Sequence, residues 1–402
     1  MNRPLAKSTS SHATTARIPG ANAGTGRRVA IVGGHTAGHV NTGLAIAQEY
    51  QSSFGATSIL FIGTPHGFEE RLVPPAGYRL ETISGAPFVD RGPIGKLKGA
   101  WLAGAGAMQA RRLLQAYDIE LVVGVGSYAS TATLLAARQL GIRTAIHEAN
   151  EQLGVANRAA ARFVDRIYLS SPSALAGLGR QAKISETAGV ADQQRVLVTG
   201  SPLRREILAC PCHAPRESSK EPVRILVTGG SLGSAFLNEH APDLLEQLAD
   251  HGMKLEVHHQ AGTTNLDPVR TRYRGREVSA TVVPYFDRIV EQYARSHFAI
   301  TTAGAITLAE LAACGLPALV VPLRDAARDH QLSNASAYGR HTGGLWIREE
   351  EWNPRELATA IAHQLRDPVR PAERSQRTHP SSRSHAARKL VESCESMMRA
   401  SR

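Results

Sequence analysis

The residues of this 402-residue chain that could do chemistry stand just after its apolar runs. One arrangement occurs twice: an apolar run, a Gly-Gly pair, a third glycine, then a helical pattern. The first copy is Val29–Val32, Gly33-Gly34 and Gly38; the second is Ile225–Val227, Gly229-Gly230 and Gly233. Glycines at a strand-to-helix turn let the backbone approach a ligand, and the helix start offers N–H groups and partial positive charge to phosphate. One such loop also serves as an ordinary tight turn; two suggest two nucleotide-type domains facing one cleft. Polar residues collect at the same places. His35, Thr36, Gly38 and His39 follow the first run, Gly124–Tyr128 another, and His147-Glu148-Ala149-Asn150 a third. In the second half Gly304-Ala305-Ile306-Thr307 opens a helix whose N–H groups suit a diphosphate, and Glu310 lies where a carboxylate could grip ribose hydroxyls. Asp329-His330-Gln331 and Asn334 follow Val321-Pro322. The first loop lacks full G-x-G-x-x-G spacing and an acid about 20 residues on, so a sugar nucleotide fits better than a dinucleotide.

These residues need a scaffold that gathers strand ends. Strand-like runs at Val29–Val32, Ser58–Ile62, Leu121–Val125, Thr144–His147 and Arg166–Leu169 alternate with helical patterns. The alternation resumes with Ile225–Thr228, Lys254–His259, Ala280–Val283, Phe298–Thr301 and Pro317–Val321. Alternation of this kind predicts an α/β chain with two mostly parallel sheets, which bind ligands outside the carboxyl ends of their strands. The helices after the two glycine loops are expected over about Gly43–Tyr50 and Asn238–Leu248, and another over Pro354–Leu365 with Asn353 as N-cap. The expected division is a basic tail over 1–27, a first domain over 28–205, a linker over 206–222, a second domain over 223–366, and a basic tail over 367–402. A helix in the last tail is expected to pack back on the first domain.

Length and composition agree with two domains of ordinary size in a soluble globular protein. Aromatics at 5% argue against a nucleic-acid binder that works by stacking. The net charge of +11 is concentrated near the ends: no Asp or Glu precedes Glu49. Such tails either solubilise or attract an anionic membrane surface. Phe88–Arg112, with Lys96, Lys98 and Trp101, reads as a membrane-facing patch or as an amphipathic helix on the sheet. No signal peptide, membrane span or zinc spacing is read, and the four cysteines fit a reducing cytoplasm.

The motifs in register resemble the family of peptidoglycan N-acetylglucosamine transferases, glycosyltransferase family 28. The resemblance rests on Gly33–Val40 with Gly43-Leu-Ala45, Gly124–Tyr128, His147–Asn150, Gly200–Arg204, Gly229–Gly233, Gly304–Glu310 and His330–Ala335, from about residue 28 to 365. It implies a GT-B fold of two Rossmann-like domains and an inverting, metal-independent enzyme peripheral on the inner face of the bacterial membrane. The donor would be UDP-GlcNAc, held by Arg204, Ser231, Phe286, Ala305, Ile306, Thr307, Glu310, His330 and Gln331. The acceptor would be a polyprenyl-diphosphate-linked N-acetylmuramoyl peptide, lipid I becoming lipid II. Thr36, Gly38, His39, Tyr128 and Asn150 would hold it. Inverting transfer needs a base, and His39 is the candidate because imidazole titrates near neutral pH; otherwise it only shapes the loop. Glu148 would orient His39 or cap a helix. No Asp-x-Asp motif occurs, so helix dipoles and N–H groups would receive the diphosphate.

The chain departs from the family pattern at Ala37 and at Thr302-Ala303, and Glu151-Gln152-Leu153 follows Asn150. A related transferase with another lipid or natural-product acceptor, a non-catalytic UDP-sugar-binding protein, and a UDP-sugar epimerase are the alternatives.

Overall fold

The computed structural model describes residues 26–84, 93–179, 194–211, 221–263, 266–324, 329–366 and 385–400. The first sheet holds β1 (Arg28–Gly33), β2 (Ser58–Gly63), β3 (Arg79–Thr82), β4 (Leu121–Gly126), β5 (Arg143–Glu148), β6 (Arg166–Leu169) and β7 (Val196–Val198). The second holds β8 (Val223–Thr228), β9 (Leu255–Gln260), β10 (Val278–Val283), β11 (Phe298–Thr302), β12 (Ala318–Val321) and β13 (Leu345–Trp346). Their orders are β3-β2-β1-β4-β5-β6-β7 and β10-β9-β8-β11-β12-β13, and neighbouring strands run parallel. Val29–Val32 and Ile225–Val227 are fully buried, as central strands covered on both faces must be. In each sheet the strand order reverses beside the first strand, between β1 and β4 and between β8 and β11. A crevice opens at such a point, and the glycine loops stand at these two places. The β1–β4 register slips so that Gly33 pairs with Gly126.

The first helix begins earlier than the sequence suggests, at Ala37 rather than near Gly43, and runs to Phe54. Gly38 and Gly43 weaken it locally, yet tertiary packing overrides propensity. A Cβ on Gly43 would press on Ile31 and Phe61 at 3.0 Å, so glycine is what lets helix and sheet approach. The helix Ala235–Ala249 is capped by Ser234, whose Oγ accepts from Leu237 N. Asn353 caps Pro354–Arg366, accepting from Arg355 N at 3.2 Å. The edge strands β3 and β13 escaped the sequence reading because they are short and only part-buried, without an apolar run.

The chain crosses between domains twice. Leu203, Ile207 and Cys210 are already buried in the second domain's core with Leu226 and Leu308, so part of the expected 206–222 linker is packed chain. Residues 212–220 of that linker lie outside the described residues, as do 1–25 and 367–384 of the tails. The helix Ala386–Arg399 returns to the first domain. Its Leu390, Val391, Cys394, Met397 and Met398 join Ile46, Tyr50 and Tyr168 in one core, and Glu395 pairs with Arg27 at 3.0 Å. Among the described residues no helix is long and apolar enough to cross a membrane. The helix Pro93–Ala116 is present, but residues 85–92 and the side chains of Lys96, Lys98 and Trp101 lie outside the described residues.

Candidate active site

His39 sits in the first turn of the helix Ala37–Phe54, partly exposed at the cleft. Its Nδ1 lies 3.1 Å from the Gly34 carbonyl and 3.3 Å from Thr36 Oγ1. A carbonyl only accepts, so that bond places the proton on Nδ1 and leaves the Nε2 lone pair unprotonated. Nε2 lies against the backbone of Gly126, where a Cβ would come within 2.7 Å. Gly126 has φ +110°, and Ser127 follows at φ 106°, ψ 165°, a conformation nearly restricted to glycine. This turn fixes the wall of the cleft beside the imidazole. Burial lowers the His39 pKa below the usual imidazole value, while the Gly34 carbonyl and the Glu148 charge oppose that shift. The neutral form, able to take a proton, is therefore the resting one near pH 7.

Glu148 is buried and its carboxylate organises the loop that follows β5. It accepts from Asn150 N and Nδ2 at 3.0 and 2.8 Å, from Gly154 N at 2.8 Å, and from Asn157 Nδ2 at 2.9 Å. Gly154 is the N-cap of the helix Val155–Ala160, so Glu148 binds the backbone at the residue that precedes this helix. Among the described residues it makes no hydrogen bond to His39, which it reaches only through its charge. Asn150 Oδ1 accepts from Asn334 Nδ2 across the cleft at 3.1 Å. Tyr128 is exposed at the start of the helix Tyr128–Gln139.

On the facing domain the helix Ala305–Cys314 starts at Gly304, with no side-chain cap and no acidic residue in its first turn. Its first N–H groups, those of Ala305, Ile306 and Thr307, are thus the kind that bind anions. The two helix starts approach each other: a Cβ on Gly38 would lie 3.8 Å from Ile306 Cγ1. Ser231 Oγ, in the second glycine loop, accepts from Ala37 N at 3.2 Å. Two positive helix ends and the second glycine loop therefore converge on one region.

Glu310 is buried one turn deeper. Its Oε1 accepts from Arg204 Nη2 at 3.1 Å and its Oε2 from Tyr293 OH at 2.9 Å. Burial raises its pKa, against the pull of Arg204 and Tyr293. Burial acts on Arg204 too, but Glu310 and Glu206 outweigh it and raise the guanidinium. Gln331 turns its Oε1 to Ala303 N and Leu323 N, both at 3.0 Å, and its amide nitrogen carries two further donors. His330 precedes it at the helix start, partly buried. The Phe286 N–H donates to Gln260 Oε1 at 2.8 Å.

The structure thus brings His39, Ser231 and the Ala305–Thr307 turn together, and sets Glu310 with Arg204 behind them. The sequence reading missed Gln260, which joins Gly230 O to the Phe286 loop, and Tyr293, which shares Glu310. It noted Asn334 without a role. Asn334 Oδ1 accepts from Glu151 N at 3.0 Å while its Nδ2 reaches Asn150 and Ala303 O, so it ties the domains together. A second clasp joins Arg71 to Asp287 at 2.7 Å, with Arg71 over the Tyr285 ring and Phe68 beside it. Among the described residues no cluster of His, Cys, Asp or Glu is arranged to hold a metal ion.

Two doubly wound domains facing across a cleft, with an uncapped helix start on one and an imidazole on the other, have the architecture of the GT-B class. The family models for the glycosyltransferase family 28 N-terminal domain and C-terminal domain match residues 29–169 and 224–391. The chain belongs to glycosyltransferase family 28. It is 36% identical over 344 residues to the UDP-N-acetylglucosamine--N-acetylmuramyl-(pentapeptide) pyrophosphoryl-undecaprenol N-acetylglucosamine transferase of Geobacter metallireducens, across 85% of this chain and 91% of that one. The crystal structure of Acinetobacter baumannii MurG superposes with a TM-score of 0.66 and 26% identity, over 91% of this chain and 98% of that one. S. aureus MnaA with UDP has a TM-score of 0.66, covering 93% of this chain and 97% of that one; at 14% identity it shares the fold.

Proposed function

We propose that the chain transfers N-acetylglucosamine from UDP-GlcNAc to an N-acetylmuramoyl peptide carried on a polyprenyl diphosphate, with inversion at the anomeric carbon. The observation that carries this reading is the convergence of His39 with the uncapped Ala305–Cys314 helix start and Ser231 at one point of the cleft. His39 Nε2 takes the proton of the acceptor hydroxyl as its oxygen bonds to the sugar C1. The C1–O bond to the diphosphate breaks, and UDP leaves with its electrons. Negative charge then grows on the diphosphate, where the two helix ends stabilise it without reorganisation. Glu310, held by Arg204 and Tyr293, receives the ribose hydroxyls. The Phe286 loop reads the uracil, and the Gln331 amide with His330 meets the sugar. Thr36, Gly38, Tyr128 and Asn150 line the acceptor side. Helix ends and N–H groups take the part a metal plays in other transferases, so chelation leaves turnover unchanged.

The enzyme would reach its lipid substrate as a peripheral protein on an anionic membrane face, through the helix Pro93–Ala116. That helix exposes Met108, Arg111 and Arg112. The test is transfer of labelled GlcNAc to a short-chain lipid acceptor, with proton NMR of the product. A β-linked disaccharide supports the reading; an α-linked product, or transfer only to an unrelated acceptor, defeats it.

A further inference from the structure

Glu69 is completely buried, lies outside every motif described above, and is shared between the loop that carries His39 and the loop that follows β2. Its Oε2 accepts from His35 N at 2.9 Å. Its Oε1 accepts from Thr64 N at 2.7 Å and Thr64 Oγ1 at 3.0 Å. These donors follow β1 and β2, the positions where a Rossmann-type loop would offer N–H groups to a phosphate. Three glycines make the seat: a Cβ at Gly34, Gly63 or Gly67 would collide with the Glu69 carboxylate. The first glycine loop is thus filled by an anion from its own chain, while the second, whose Ser231 faces the cleft, has no such filler among the described residues.

We propose that Glu69 is the positioning residue of the catalytic loop: its carboxylate fills the anion seat of the first glycine motif and thereby sets the Gly34 carbonyl that orients His39. The proposal rests on the reading of His39 as the base. His35 stands at φ 74°, a backbone conformation costly for any residue with a Cβ, and its N–H bond to Glu69 holds it there. Gly34, the residue before it, then presents its carbonyl to His39 Nδ1 at 3.1 Å. The same short helix, Phe68–Leu72, carries Phe68 and Arg71, which clasp Tyr285 and Asp287 beside the uracil loop. The element that fixes the base therefore also touches the donor domain.

The test compares Glu69→Gln with the parent enzyme. Glutamine offers one acceptor oxygen and an NH2 donor, so either His35 or Thr64 faces a donor and the loop loses its hold. The expected result is a fall in kcat of roughly 10- to 100-fold, from misplacement of the base, with KM for UDP-GlcNAc and UDP affinity by calorimetry within about twofold of the parent. The charged and titratable groups acting on His39 are Glu148 and Glu69, which raise its pKa, and His35, which lowers it. Removing the Glu69 charge therefore moves the acid limb of kcat/KM to lower pH. Glu69→Ala leaves a carboxylate-sized space with its donors intact, and added formate restores part of its turnover. The proposal is overturned if Glu69→Gln keeps parental kcat per UDP-binding site. It is equally overturned if activity falls only in step with UDP-binding sites while the acid limb stays in place. If His39→Ala retains parental turnover, the reading of the base fails instead, which separates the two failures.

Discussion

Replacing Glu310 by glutamine tests the donor site quantitatively. The carboxylate is 3% exposed and already shared between Arg204 and Tyr293, so it is fixed before the ligand arrives. A hydrogen bond to a charged group contributes about 1.5–3 kcal/mol. Counting one such bond to the ribose, glutamine weakens UDP binding roughly 10- to 150-fold at 1.4 kcal/mol per decade. Stability falls as well, since removing one partner of a buried pair costs about 3–5 kcal/mol. Glu206, 3.1 Å from Arg204 Nη1, remains to compensate the guanidinium and keeps that loss toward the lower end. Calorimetry with UDP and with 2′,3′-dideoxy-UDP on both proteins isolates the contact. The parent should discriminate strongly between them and the folded variant weakly. Equal discrimination in both proteins would refute the placement of the ribose on Glu310.

Asn150→Ala and Asn334→Ala together should cost less catalytic efficiency than the sum of the single changes, with a coupling of about 0.5–3 kcal/mol, because their side chains bond across the cleft. A double-mutant cycle on kcat/KM reads it directly, and additivity would show the bridge is not used. His147 and His259 are fully buried, and burial lowers both from 6.5 to about 4. The unfolded chain then binds more protons than the fold, so stability is complete above pH 6.5 and is lost as pH falls toward 4. The loss is on the order of 3 kcal/mol for each histidine at pH 4, and urea titrations across that range check it. EDTA should leave GlcNAc transfer unchanged, in keeping with helix ends as the charge acceptor; restoration of a lost rate by Mg2+ would contradict this. Ser231→Ala removes a neutral bond to Ala37 N and should lower kcat/KM by about 2- to 10-fold.

The central strands and the two crevices were legible because buried parallel strands read as continuous apolar runs, such as Val29–Val32 and Ile225–Val227. The helix start at Gly304 was legible from glycine chemistry, whereas the helix expected from Asn238 begins at Ala235, where Ser234 caps it. Contacts made over long sequence separations were not. Glu69 lies 34 positions from His35 in a run of ordinary surface composition, Glu69-Glu70-Arg71, and only the fold buries it. The first glycine pair therefore read as a ligand cradle, although the atoms that crowd Gly34 belong to a side chain of the same domain. Asn334 likewise carries no local sign of Asn150, which faces it from the other domain. Helix boundaries shifted where glycine served close packing, as Gly43 does against Ile31 and Phe61, rather than ending the helix.

The most direct test of the account is the rate of UDP release with UDP-GlcNAc and a short-chain lipid-linked muramoyl peptide, for the parent and His39→Ala. The account predicts robust release that falls roughly 100-fold or more in the variant, with UDP affinity retained. Parental turnover in His39→Ala would contradict it.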